Sequence, residues 1–175
     1  MIAALLHSSV ARLVAVGILV LALQKTLFAE MRPAGVVIQL MLAFAAAAGA
    51  VGGPERGMIA GFTLGVMYDL GIGSPLGSSA ASMGVGAAVA GTVAFINIDL
   101  TWWLAAIFVA FGSAVGELLV PVVRTFIGET DVFTVRLYKV VPIVAASSAL
   151  MSPFFVPVSR WCLRLQKTEW KAPAE

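Results

Sequence analysis

The stretch GMIAGFTLGVMYDLGIGSPLGSSA, residues 57–80, sets the architecture of this chain. Residues 57–72 are almost entirely apolar, and their one charged side chain is Asp69. The glycines and the proline of GIGSPLG, residues 71–77, then interrupt the run, because both residue types disfavour a helix interior. A second apolar run begins at Ser78. The pattern predicts two helices joined by a tight turn.

The composition around this stretch indicates a chain embedded in a lipid bilayer. Of the 175 residues, 61% are apolar and 11% are charged, and the mean hydropathy is +1.01. Soluble domains are about 45–50% apolar and about 25% charged, so the polar residues here cannot cover a soluble surface. Disorder is excluded as well, because it requires low hydrophobicity and high charge. The expected class is an all-α integral membrane protein.

Outward from residues 57–80, four further apolar runs approach the roughly 20 residues that a membrane helix needs. These runs are apolar on every side, whereas the strands of a membrane barrel alternate with period two. The sequence therefore predicts a six-transmembrane-helix bundle over residues 1–159 and a basic cytoplasmic tail over residues 160–175. The predicted spans are 9–28, 35–51, 57–72, 78–98, 101–126 and 137–158.

The positions of lysine and arginine predict that both termini lie in the cytoplasm. An even number of spans puts the termini on one side, and a dense group of cations close to the last span favours the cytoplasmic side. The first run is expected to be a retained span, because no small-x-small cleavage pattern follows it. The tail is either a snorkelling stop-transfer segment or a contact for anionic lipid or a cytoplasmic partner. Its cations are Arg160, Arg164, Lys167 and Lys171.

A ladder of glycines marks the third predicted span as a packing helix. Glycine lets two backbones approach closely, and close approach favours helix association inside a bilayer. Packing within the chain and packing against a partner protein are both open alternatives. A second pair on the fifth span, Gly112 and Gly116, is a candidate for the facing groove. The ladder consists of Gly53, Gly57, Gly61 and Gly65.

Asp69 is expected to lock the turn between the third and fourth spans. A carboxylate near the C-terminal end of a helix opposes the helix dipole and needs a compensating partner. The turn that follows offers unpaired backbone N–H groups, and Ser74 or Ser78 can cap the next helix. The alternative for Asp69 is a role in binding an ion or a substrate.

Glu117 lies deep in the fifth span, where a carboxylate is energetically costly and indicates a function by default. Pro121 lacks the N–H that would bond the carbonyl of Glu117, so a free carbonyl and a carboxyl share one level of the helix. Four roles remain open for Glu117. The alternatives are a buried protonated acid, a partner of Arg124, a contact to the helix of another protein, and a site for a proton or cation.

Several functional classes are excluded by the residues that the chain lacks. One cysteine, Cys162, and one histidine, His7, cannot form a metal cage or a histidine cluster. A Ser-His-Asp triad is not expected with a single histidine near the start of the chain. A formal net charge of +2 is too small to indicate nucleic-acid binding. We therefore expect no catalytic residues, no metal and no cofactor, and a protein that is not an enzyme.

The glycine-spaced helix that ends in Asp69, with the turn after it, resembles the signature of the rod-shape-determining protein MreD family. The resemblance extends in layout to Gln24 and to the prolines of the sixth span, while Glu117 has no counterpart in it. It implies that Phe62 belongs to a packing or partner surface, together with the glycine ladder. It also implies a hairpin-locking motif, whose residues are Asp69, Pro75, Leu76 and Gly77.

The resemblance implies a bacterial plasma-membrane protein of the cell-elongation machinery that helps to organise peptidoglycan synthesis. Its expected partners are membrane lipids, the bitopic protein MreC and, indirectly, MreB, RodA and the transpeptidase that works with RodA. It also implies a fold similar to the substrate-binding subunits of energy-coupling-factor transporters. Two other classes therefore stay open. One is a substrate-binding membrane subunit of a vitamin or small-molecule transporter. The other is an intramembrane enzyme in which Asp69 and Glu117 converge in one cleft.

Overall fold

The computed structural model describes residues 8–27, 35–96, 100–128 and 137–163, and within these ranges the chain is helical and contains no strand. Four helical segments are long and apolar enough to cross a membrane: α1, α3 with its 3-10 extension, α4 and α5. This set indicates a multi-pass membrane protein. The helices are α1 (Ser9–Thr26), α2 (Leu40–Ile72), α3 (Ser78–Gly91) with the 3-10 segment Thr92–Ile96, α4 (Trp102–Phe126) and α5 (Leu137–Leu163).

Helix α2 consists of two helical arms that meet at Gly53. Gly53 has φ 81° and ψ 175°, a conformation that only glycine adopts readily. Pro54 follows, and proline fits the first turn of a helix because the N–H it lacks would have no partner there. A Cβ built on Gly57 would lie 2.6 Å from the Cα of Gly49, whereas eight residues of straight helix span about 12 Å. The chain therefore folds back at Gly53, and the arms at residues 40–52 and 54–72 pack against each other.

The first arm of α2 is the centre of the molecule. Its residues from Leu40 to Ala50 are buried on all sides, and α2 contacts every other helix. A helix that is apolar all round is suited to such a position. The run of alanines allows neighbouring helices to approach closely, and the ring of Phe44 packs 5.6 Å from the ring of Phe155 on α5.

The helix bounds differ from the predicted spans in two places. The second predicted span begins at residue 35, but the α-helix begins at Leu40, because residues 36–39 are not helical. The last predicted span ends at residue 158, but α5 continues to Leu163, which places Arg160 in the helix instead of the tail. The predicted span ends at residues 28 and 98, and the tail beyond residue 163, lie outside the described part of the chain.

The bundle has two ends with different chemistry. At the first, which we call the Trp161 end, Arg12 near the start of α1 contacts Trp161, and Arg160 contacts Leu100 before α4. The second, which we call the Asp69 end, contains the last turn of α1, where Lys25 donates to the carbonyl of Gly71. The start of α2, the turn between α2 and α3, and the C-terminal part of α4 lie at this end as well.

Candidate functional site

Asp69 is the acceptor around which the turn between α2 and α3 is organised. It is 1% exposed. The carboxylate accepts hydrogen bonds from the hydroxyl of Ser74 at 2.7 Å and from the backbone N–H of Gly77 at 2.9 Å. It also accepts from the N–H groups of Ser79 and Ala80, at 3.2 Å and 3.4 Å, and from the hydroxyl of Ser78 at 3.4 Å.

These bonds explain why a carboxylate is stable at this position. The first N–H groups of a helix have no partner within the helix, and they carry a partial positive charge. The carboxylate of Asp69 binds the first N–H groups of α3. Its attraction to the positive start of α3 therefore offsets its repulsion from the negative end of α2. Gly73 and Gly77, with φ of 76° and 97°, provide the left-handed conformations that the turn requires. Pro75 and Leu76 are exposed on its outer side.

The glycine ladder packs against α3 of the same chain. A Cβ on Gly61 would lie 2.8 Å from the Cβ of Ala87, and one on Gly65 would lie 2.7 Å from the backbone nitrogen of Ala80. A Cβ on Gly57 would lie 2.9 Å from the carbonyl oxygen of Ala87. The ladder is therefore a face for close packing within the chain.

The expectation that Gly112 and Gly116 form the groove facing the ladder is wrong. A Cβ on Gly112 would lie 2.7 Å from the Cβ of Ala90, and one on Gly116 would lie 2.9 Å from Cδ1 of Leu42 and 3.2 Å from the carbonyl oxygen of Ser82. Gly112 therefore packs on α3, and Gly116 packs on α3 and on the first arm of α2, whereas the ladder lies in the second arm. The reason is that α3 is also rich in glycine and alanine, so it accepts a close neighbour on two sides.

Phe62 differs from its neighbours in the signature, because 52% of its side chain is exposed. It lies on the outer surface of the second arm of α2, together with the exposed side chains of Met58 and Ile59. The resemblance leaves packing and partner contact open for Phe62, and its position makes it available to lipid or to another protein.

Glu117 is directed into the bundle and is only 7% exposed. Its Oε2 accepts a hydrogen bond of 2.6 Å from the side-chain amide of Gln39, which immediately precedes α2. The guanidinium of Arg124 is close enough to act on it electrostatically. Glu117 therefore faces the inside of the bundle in this conformation, and Gln39 is the hydrogen-bond partner that the structure gives it.

Further polar side chains link α1 to the start of α2, beside the hydrogen bond that Gln39 donates to Glu117 of α4. The side-chain oxygen of Gln24, near the end of α1, accepts a 3.0 Å hydrogen bond from the backbone N–H of Met41. This bond satisfies one of the first N–H groups of α2, which have no partner within the helix. The side chain of Gln24 also shares a hydrogen bond with Tyr68, which precedes Asp69 in the chain.

A cavity of about 60 Å³ lies between α2, α3 and α4 at the Asp69 end. A single water occupies roughly 10–15 Å³ on this measure, so the cavity has room for about four. Its wall combines hydroxyl, amide and guanidinium groups with apolar side chains. The lining residues are Gln39, Leu42, Tyr68, Ser79, Ser82, Met83, Gly116, Val120 and Arg124.

The two carboxylates do not share a partner. Asp69 is bound by the turn that follows it, and Glu117 is bound by Gln39. In the part of the chain that the structure describes, no group of three His, Cys, Asp or Glu side chains is placed to hold a metal ion. No known protein family, curated protein or solved structure matches the chain in sequence or structure comparisons.

Sequence reasoning missed the roles of Gln24, Gln39 and Tyr68. The available signal was weak, since each is a polar residue at the boundary of an apolar run, where polar residues are common. Their grouping depends on how the helices pack, and spacing along the chain does not give helix neighbours.

Replacing Glu117 with leucine is expected to destabilise the protein by about 1 kcal/mol or more, because the partly buried amide of Gln39 is left without its acceptor. Glu117→Gln keeps an acceptor of the same shape and should have a smaller effect. The double variant Glu117→Leu with Gln39→Leu should recover part of the loss, because both polar partners are then gone. Thermal unfolding of the purified variants in detergent measures this. Additive losses in the double variant would contradict the pairing.

Proposed function

We propose that the chain is a noncatalytic membrane scaffold of the bacterial cell-elongation machinery, which binds a bitopic protein of the MreC type and helps to organise peptidoglycan synthesis. One observation supports the proposal. The residues that carry the resemblance to MreD come together as one structural unit, in which the ladder packs on α3 and Asp69 binds the turn. In this unit the motif residues hold α2 and α3 together inside the chain. The outer faces of the helices are then available for contacts with a partner protein.

The proposed placement is a six-span bundle in the plasma membrane, with both termini in the cytoplasm and a fold of the energy-coupling-factor substrate-binding type. The two arms of α2 then supply the second and third spans. The first arm, at residues 40–52, is about 20 Å long, which is shorter than the hydrocarbon core of about 30 Å. Residues 36–39, which are not helical, extend this crossing. Irregular backbone is tolerated at membrane depth where protein surrounds it.

The proposed contact for the bitopic partner is the outer face of the second arm of α2, around Phe62. Three large apolar side chains, Met58, Ile59 and Phe62, are exposed there, and they present one to two helical turns of surface. The faces of the same arm that carry Gly57, Gly61 and Gly65 are occupied by α3. A partner helix therefore meets bulky side chains, which gain dispersion energy on packing, and it does not meet the glycine ladder.

The cavity at the Asp69 end favours a second candidate, the substrate-binding subunit of a transporter. With both termini cytoplasmic, this end faces outward, as a site that receives a ligand from outside must. A volume of about 60 Å³ suits a few waters, whereas pockets for drug-sized ligands have volumes of about 300–1,000 Å³. The size of the cavity therefore makes the scaffold the better supported function.

Copurification from a bacterial membrane distinguishes the two functions. A photocrosslinking residue at Phe62 is expected to capture a single-span membrane protein, and the same residue at the exposed Phe154 of α5 serves as the matched control. Depletion of the chain should turn rod-shaped cells round. Copurification with an ATPase module and a retained vitamin would overturn the scaffold proposal. Equal capture at both positions would overturn the contact at Phe62.

A further inference from the structure

A buried arginine lies at the Trp161 end of the bundle. Arg12 is 5% exposed, and its Nε has no hydrogen-bond partner. In the described residues it makes a long hydrogen bond of 3.5 Å to the hydroxyl of Ser9, its guanidinium carbon lies 5.3 Å from the ring of Trp161, and it is near the side chain of Cys162. None of these neighbours is a carboxylate. A buried charge needs a compensating group, and the described part of the chain places no counter-anion beside Arg12.

A second arginine lies at the same end. Arg160, near the end of α5, donates to the carbonyl oxygen of Leu100 at 3.4 Å. Trp161 and Trp102 are both exposed, and Trp102 follows Leu100 by two residues. Exposed tryptophans of membrane proteins lie at the level of the lipid headgroups. The two arginines are therefore held at the depth where lipid phosphates lie.

The charged side chains that the structure describes near this end do not neutralise Arg12. Besides Arg12 and Arg160 they are Glu55 and Arg56, which lie after the break at Gly53 and are exposed, and their formal charges cancel.

We propose that the junction of α1 and α5 at the Trp161 end binds the headgroup of an anionic phospholipid in the cytoplasmic leaflet. Arg12 and Arg160 bind the phosphate oxygens, because a guanidinium presents donors in the planar geometry that phosphate accepts. The indole of Trp161 covers Arg12 and contacts the glycerol region and the first part of the acyl chains. Basic pockets between transmembrane helices on this side are known sites for such headgroups.

The site is suited to a lipid more than to free phosphate. Arg12 is enclosed by transmembrane helices and by the ring of Trp161, so a soluble anion would lose its hydration without gaining apolar contacts. A lipid brings its phosphate to the correct depth and replaces the lost hydration with acyl-chain contacts. This lipid contact does not depend on the proposed scaffold role, but its assignment to the cytoplasmic leaflet rests on the proposed orientation with cytoplasmic termini.

The test is native mass spectrometry of the full-length protein, purified in mild detergent and titrated with phosphatidylglycerol, phosphatidylcholine or water-soluble glycerol phosphate. We expect phosphatidylglycerol to be retained most strongly. The double variant Arg12→Gln with Arg160→Gln is expected to bind it about 30-fold more weakly, from the loss of two cations near the headgroup. The control is Lys139→Gln, which removes an exposed cation at the start of α5, and it should bind the lipid as the original protein does.

Three outcomes would overturn the proposal: equal retention of phosphatidylcholine, equal binding of glycerol phosphate, or an equal loss in Lys139→Gln. If the double variant does not fold, the single variant Arg160→Gln replaces it, because Arg160 is only partly buried. That variant is expected to lose about fivefold in affinity for phosphatidylglycerol. Unchanged affinity in Arg160→Gln would then exclude the site.

Discussion

Replacing Asp69 with alanine is expected to lower the stability of the protein by about 3 kcal/mol or more. The change removes the carboxylate that accepts the hydrogen bonds at the turn, so the N–H groups of Gly77, Ser79 and Ala80 lose their side-chain partner. Each buried donor left unsatisfied costs about 1–3 kcal/mol. The hydroxyl of Ser74 loses its 2.7 Å bond as well. Thermal unfolding in detergent should show a large decrease in Tm.

Three further variants separate this effect from a general effect of charge. Asp69→Asn keeps one acceptor oxygen and should show an intermediate loss. Ser74→Ala removes a single bond and should cost about 1 kcal/mol. Glu55→Ala removes an exposed carboxylate from the same helix and should change stability by less than about 0.5 kcal/mol. If Asp69→Ala unfolded at the same temperature as Glu55→Ala, the hydrogen bonds at the turn would not stabilise the fold.

Replacing Gly49 with alanine is expected to destabilise the protein by about 2 kcal/mol or more, although alanine is the better helix former. A Cβ at this position would lie 2.7 Å from the carbonyl carbon of Ala87 and 3.1 Å from its Cα. Backbone atoms cannot rotate away, so α3 would have to move. Gly57 contacts the same region, and the movement would therefore also separate the two arms of α2. Thermal unfolding measures the loss.

Gly84→Ala is the matched control, because it adds the same methyl group to a buried glycine. At Gly84 the nearest atom to the added Cβ is the carbonyl oxygen of Met58 at 3.4 Å, which is an ordinary contact. The gain in helix propensity, about 0.5–1 kcal/mol, should then decide the outcome. The two variants should shift Tm in opposite directions. A decrease of equal size in both would show that the close approach of Gly49 to the backbone of Ala87 is not the cause of the loss.

The helical class of the fold and its turn chemistry could be predicted from the sequence, because both depend on short stretches. Apolar runs of sufficient length predict α4 and α5 within a few residues, and a carboxylate beside a Gly- and Pro-rich turn predicts a local acceptor role for Asp69. The gap between the predicted spans 35–51 and 57–72 places a break at residues 52–56. In the structure, Gly53 alone leaves the helical conformation. Its positive φ reverses the direction of the chain, and Pro54 begins the second arm of α2.

The helix neighbours could not be predicted from the sequence, because small residues occur on several faces of several helices. The pair Gly112 and Gly116 has the correct spacing for a groove, but spacing alone does not choose between α2 and α3 as its partner. The bond between Gln39 and Glu117 joins residues 78 positions apart. The contact between Arg12 and Trp161 brings together helices from the two ends of the chain. Only the packed bundle determines such pairs.

The central position of the first arm of α2 has a consequence for biogenesis. This arm leaves the ribosome second, but the helices that shield it from lipid, α3, α4 and α5, are synthesised after it. At about 20 Å it is too short to remain alone across the hydrocarbon core. In the proposed six-span placement, the insertion machinery therefore has to accept it together with the following arm, as one hairpin closed at Gly53. A chain truncated before α3 would leave this hairpin without its cover, and quality-control proteases of the membrane should degrade it rapidly.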